Sequence, residues 1–96
     1  MTLTDIKNTL TALKPELHER FGVSGIGVFG SWVRGEQTAD SDIDLLVDFD
    51  RTVSLFDILE LQFFLEDTFQ RKVDIAPKDN LRKHIGRYIL AEVQTL

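Results

Sequence analysis

The sequence predicts an α/β domain in which a small three-stranded sheet is packed with helices. Three observations predict it. Short apolar runs rich in β-branched residues stand at residues 25–29 (GIGVF), 43–49 (IDLLVDF) and 72–76 (KVDIA). Segments with apolar residues at spacings of three and four precede the first run, separate the second from the third, and follow the third. Glycine, proline and polar residues punctuate the joins. With 96 residues, of which 43% are hydrophobic, residues 1–96 suffice for one domain that buries about two thirds of its unfolded surface, with space for one core and one open cleft.

In chain order, Leu3, Ile6, Leu10, Leu13, Leu17 and Phe21 mark an amphipathic helix. Thr2 or Thr4 can cap its start and Gly22 can end it. Pro15 removes a backbone donor inside it, so a kink or break is expected near Leu13 and Lys14. The first strand ends at Gly30-Ser31, where the chain enters a short helix at Trp32. Trp32 and Val33 are expected in the core, as large apolar side chains usually are. Residues 36–40 (EQTAD) are polar and belong to an exposed turn at the mouth of a cleft. After the second strand, Ser54 with Asp57 three residues on forms a capping box. The helix it opens carries Phe56, Ile58, Leu59, Leu61, Phe63, Phe64 and Leu65. It is therefore apolar on more than one side, the mark of a central or interface helix. In the third strand Val73 and Ile75 share one face, Asp74 takes the other, and Pro77 stops the run. The last helix is expected over residues 81–95, with Leu81, Ile85, Tyr88, Ile89 and Val93 in one stripe and Arg82, Lys83 and Arg87 beside it. His18 and His84 read as surface residues, because neither has a partner at metal-ligand spacing.

Composition excludes several function classes. Absence of cysteine rules out disulfides, thiol catalysis and thiolate metal sites. No apolar stretch approaches the roughly 20 residues of a membrane span, and the start lacks the form of a signal peptide, so a cytoplasmic setting is expected. The net charge of −5 is unevenly spread. Asp40, Asp42, Asp44, Asp48 and Asp50 crowd one segment, whereas Arg71, Lys72, Lys78, Arg82, Lys83 and Arg87 make the last quarter basic. That distribution disfavours nucleic-acid binding and suits an acidic cleft that recruits a metal before a polyanionic substrate.

Residues 28–47 carry the chemistry. A glycine at a helix start lets the backbone approach an anion, Ser31 adds a hydroxyl donor, and Arg34 adds a charge-assisted fork to phosphate oxygens. On its own this half is more simply a strand end, a serine cap and a surface arginine. Asp42 and Asp44, two apart on a strand, project from one face roughly 7 Å apart along the chain. Two carboxylates held together repel unless a cation lies between them, and hard oxygen ligands beside a phosphate suit Mg²⁺. Two such ions about 4 Å apart can clamp the attacking and leaving oxygens of an in-line displacement. An isolated Asp-x-Asp is otherwise an acidic strand edge.

Together the halves are more specific. GS-x-x-RG followed by SD-x-D, through Gly30, Ser31, Arg34, Gly35, Ser41, Asp42 and Asp44, resembles the nucleotidyltransferase superfamily related to DNA polymerase β, and most of all its minimal nucleotidyltransferases, the antitoxin-type members. The resemblance covers nearly the whole chain. It implies the nucleotidyltransferase fold with a mixed three-stranded sheet, and a third catalytic and metal-binding carboxylate on a later strand, where Asp74 falls. It also implies Mg²⁺, two ions in all, on Asp42, Asp44 and Asp74, with Gly30, Ser31, Arg34 and Ser41 holding ATP. The family often ends the helix before its third strand with glycine; Gln70 stands near that place here.

The function implied is transfer of AMP from ATP to a hydroxyl, a tyrosine by family analogy, on a HEPN ribonuclease toxin that the chain thereby silences. Two other readings stand beside it. One is an antitoxin that neutralises its toxin by stoichiometric binding, without catalysis. The other is an aminoglycoside-type nucleotidyltransferase acting on a small molecule, which the lack of a second domain to enclose the substrate disfavours.

Overall fold

The computed structural model describes residues 1–81 and 86–96 in full, and the backbone of 83–85. Helix α1 (Leu3–Phe21) leads into strand β1 (Val23–Phe29), the one-turn helix α2 (Ser31–Arg34) and strand β2 (Ile43–Phe49). Helix α3 (Leu55–Phe69), strand β3 (Val73–Pro77), a single 3-10 turn (Lys78–Asn80), helix α4 (Lys83–Glu92) and strand β4 (Gln94–Thr95) complete the chain. The sheet order is β3-β2-β1-β4. β1 runs antiparallel to β2, and β3 runs parallel to β2.

The sheet is therefore mixed as expected, but it has four strands where the sequence pointed to three. Gln94 and Thr95 pair with Val28 and Gly27 on the free edge of β1, and the last helix stops at Glu92 instead of running to residue 95. Two residues cannot display the alternation that marks a strand, so the helical spacing extends through Val93 on paper while the sheet edge captures the tail in space. Of the expected apolar stripe, Tyr88 stands exposed. The side chains of Lys83, His84 and Ile85, and the whole of Arg82, lie outside the described residues.

One face of the sheet is apolar. Ile26 and Val28 of β1 lie opposite Val47 and Leu45 of β2, and Ile43 of β2 lies beside Val73 of β3. These side chains join Ile6, Leu10, Leu17 and Phe21 of α1 with Leu61, Leu65 and Phe69 of α3 in a single core. Trp32 is buried in the same core, and Val33 packs against it. Truncating a fully enclosed leucine such as Leu61 to alanine costs about 2–5 kcal/mol. Among the described residues no helix is long and apolar enough to cross a membrane.

Local signals set the helix ends. Thr2 with Asp5, and Ser54 with Asp57, form reciprocal capping boxes. Helix α1 runs unbroken through Pro15, so no break occurs at Leu13 and Lys14. The carbonyl that loses its partner belongs to Thr11, one turn back on the exposed side of the helix, where water can serve it. Helix α3 stops at Gln70, whose φ of 54° is left-handed without being glycine. Its backbone N–H donates to the Glu66 carbonyl at 2.8 Å and its side-chain amide to the Asp67 carbonyl at 2.7 Å.

A non-glycine residue in the left-handed region costs about 1–2 kcal/mol. We expect Gln70→Gly to raise the stability of the fold by about 1 kcal/mol in urea unfolding, with the slope unchanged; an unchanged or lower midpoint would contradict this account of the turn.

Candidate active site

The second face of the sheet carries acid. Alternation along β2 places Leu45 and Val47 in the core and turns Asp44 to the other side. Asp42, immediately before β2, shares that parity, and the parallel register sets Asp74 directly beside Asp44. Asp42 and Asp74 are exposed, whereas Asp44 is half-buried between them. Burial, followed by the negative charges of Asp74 and Asp42, pushes the Asp44 carboxyl from 3.8 up to about 6, against the opposing pull of Arg34.

Antiparallel pairing brings the other half of the motif to the same place. Phe29 lies opposite Asp44, so Gly30, the next residue, is laid against the Asp44 carboxylate. A Cβ at Gly30 would overlap that carboxylate, and its φ of 83° with ψ of −153° is a conformation in effect reserved for glycine. Helix α2 is only one turn long, so its dipole is small. The donors at this point are individual groups, the Gly30 N–H and the Arg34 guanidinium. In this structure both serve one carboxylate: Glu92 of α4 accepts from the Gly30 N–H at 2.7 Å and from Arg34 Nη1 at 2.8 Å. Arg34 Nε donates to Glu36 at 2.7 Å. The hydrogen bonds from Glu92 and Glu36 raise the Arg34 pKa. For Glu92, burial raises the pKa, but Arg34 and the Gly30 N–H outweigh it and the net shift is downward. Phe29, Gly30, Arg34, Asp44, Tyr88 and Glu92 line a cavity of about 700 Å³ at this point.

Gly30, Arg34, Asp42, Asp44 and Asp74 therefore stand in one neighbourhood at the carboxyl end of β1 and the amino ends of β2 and β3. Ser31 opens α2, beside Gly30. Ser41 is turned to the loop instead: its Oγ accepts from the Thr38 N–H at 2.8 Å. Among the described residues, no three acidic or histidine side chains converge closely enough to make a finished cation cage. The donor set itself fits a divalent cation. Three carboxylates share one face, and the most enclosed of them is hard to ionise without a counter-charge.

Two side chains that shape this region carried no signal in the sequence. Glu92 was one acid among sixteen. Arg71 read as part of a basic tail, yet its guanidinium lies over the Trp32 ring, 5.2 Å from the centroid, and donates to the Ala39 carbonyl at 3.0 Å. It thereby ties α2 to the loop that leads into Asp42.

Comparison with known proteins places this geometry. The nucleotidyltransferase domain family matches residues 10–95. The protein adenylyltransferase MntA of Thermococcus cleftensis is 50% identical over 93 residues, which cover 97% of this chain and 94% of that protein. A solved minimal nucleotidyltransferase superimposes with a TM-score of 0.83 at 34% identity, covering 100% of this chain and 97% of the other. The MNT antitoxin in complex with a tri-AMPylated HEPN toxin of Shewanella oneidensis shares the fold, with a TM-score of 0.70 at 17% identity, covering 93% of this chain and 69% of that one. With the motif, the strand register and a relative matching along nearly its whole length in agreement, the chain belongs to the nucleotidyltransferase domain family, among its minimal members.

Proposed function

We propose that the chain is a protein adenylyltransferase that moves AMP from ATP to a tyrosine hydroxyl of a partner HEPN toxin and so acts as its antitoxin. The observation that carries this reading is the contact between the Gly30 backbone and the Asp44 carboxylate, which joins the phosphate-binding and acidic halves of the motif in one cleft. The name of the Thermococcus relative and the subject of the Shewanella complex support the group transferred and the class of partner.

The roles follow from chemistry. The Gly30 N–H and the Arg34 guanidinium hold phosphate oxygens by charge-assisted hydrogen bonds, and the Ser31 hydroxyl adds a neutral donor, whereas the Ser41 hydroxyl, engaged with Thr38, stands outside this set. Asp42, Asp44 and Asp74 hold Mg²⁺, two ions in the full complement, which neutralises charge on the triphosphate and makes the acceptor hydroxyl more acidic. The acceptor oxygen attacks the α-phosphorus, the bond from that phosphorus to the bridging oxygen of the β-phosphate breaks, pyrophosphate leaves, and the hydroxyl proton passes to solvent. Positioning and charge neutralisation supply most of the rate.

Stoichiometric neutralisation is a second reading, favoured by Leu55, Phe56 and Phe63, which stand exposed on α3. Incubation with Mg²⁺, α-labelled ATP and the HEPN protein encoded beside it separates the two. Wild type should label the partner and Asp44→Asn should lower labelling by a hundredfold or more, on the order of what one electrostatic group contributes to such a step. Equal labelling by both proteins would remove Asp44 from the mechanism; no label, with tight binding by both, would establish the stoichiometric reading.

The Asp44 shift gives a second expectation. Because its folded pKa is raised, the folded state binds this proton more tightly than the unfolded chain does, and the Asp44 contribution to stability falls as pH rises from about 4 through 6. Metal-free protein should therefore melt higher as Asp44→Asn than as wild type at pH 7.5, with little difference at pH 4.5. Mg²⁺ should raise the wild-type Tm by a few degrees at pH 7.5 and leave Asp44→Asn unmoved. Thermal melts followed by circular dichroism check both; an equal response to Mg²⁺ in the two proteins would exclude Asp44 as a ligand.

A further inference from the structure

Glu92 occupies the donors that the proposed reaction assigns to phosphate. One of its carboxylate oxygens takes the Gly30 N–H and the other takes Arg34 Nη1. Gly30 has only one N–H, and Arg34 is held on its other side by Glu36. A carboxylate and a phosphate offer a guanidinium the same pair of acceptor oxygens, so the two anions compete for one seat. We propose that Glu92 is an internal competitor of the nucleotide, an autoinhibitory carboxylate that must leave the Gly30–Arg34 pair before a triphosphate can bind there. The inference rests on the nucleotide-binding reading of that pair.

The rest of the terminal segment suits such a device. Glu92 is the last residue of α4, and the tail beyond it is anchored by the Gln94 and Thr95 pairs with β1, the Leu96 N–H on the Ile26 carbonyl at 3.0 Å, Lys14 Nζ on the Leu96 carbonyl at 2.7 Å and the Leu96 side chain against the core. Val93 packs so closely over Gly27 that a Cβ there would not fit, which sets where the helix end lies. Tyr88, one turn before Glu92, lines the same cavity with its ring exposed. The position of the end of α4 therefore decides whether Glu92 reaches the two donors.

Calorimetric titration of the full chain with Mg²⁺ and the ATP analogue AMP-PNP tests this. Glu92→Ala should bind about tenfold more tightly than wild type, because the internal anion is gone and a negative charge is removed beside a polyanion. Glu92→Gln, which keeps the size and one acceptor oxygen but loses the charge and the second acceptor, should show a gain in the same direction and carries the test should the alanine variant fail to fold. Arg34→Ala should bind more weakly than wild type. If wild type binds, Arg34→Ala weakens binding, and the Glu92 variants bind no more tightly than wild type, Glu92 is a support for Arg34 and the proposal is overturned while the nucleotide site stands. If no form binds AMP-PNP, both the site reading and this proposal fall.

Discussion

The pairing of β1 with β2 is the constraint on which the rest of the structure depends. Its register sets Phe29 opposite Asp44, and that single correspondence presses Gly30 against an acidic side chain from a strand that begins thirteen residues later. A slip of one residue would turn Asp44 into the core and Leu45 out of it. The register is protected by what it buries: Ile26, Val28, Leu45 and Val47 are all enclosed on the opposite face. The apolar core under α1 and α3 is thus what holds the chemistry in place on the face above it.

That arrangement gathers charge at some cost to the fold. Three carboxylates share one face, and the one between them is partly removed from water, which is why its proton is retained to about pH 6. Arg34 is the cation set against this field, and it is itself divided between Glu36 and Glu92. Strain at Gly30 belongs to the same account, since the backbone there adopts a conformation that only a residue without a side chain accepts. A nucleotidyltransferase needs such a surplus of negative charge to attract metal and needs donors to hold phosphate. Here three carboxylates and the Gly30 and Arg34 donors stand side by side.

The other surfaces divide by character. Exposed Leu55, Phe56 and Phe63 give α3 an apolar outer side, in keeping with a helix whose sequence is apolar on more than one side. Exposed Tyr88 and Leu90 do the same for α4, and Tyr88 lines the cavity shared with Gly30 and Asp44. Arg71 works within the fold, stacked on Trp32 and bonded to Ala39, and so belongs to the scaffold of the loop before Asp42 although its charge alone would assign it to a solvated face.

Local patterns carried much of this in the sequence. The cap at the start of α1, the capping box at Ser54, the core stripe of α1, the alternation of β2 and the opposed faces of Val73 and Asp74 are all written in neighbouring residues, because capping and period-two burial act over a few positions. The spacing from Gly30 to Asp44 identified the family and the acids to test. Other features needed the chain in three dimensions. Pro15 stays helical because the carbonyl it leaves unpaired faces water. Gln94 and Thr95 become a strand only because an open sheet edge lies beside them. Ser41 turns to its own loop, and Glu92 reaches Gly30 and Arg34 across about sixty residues of chain. Such contacts leave no local trace: a carboxylate that caps a backbone N–H from another element looks like any surface acid until packing decides what stands within hydrogen-bond reach.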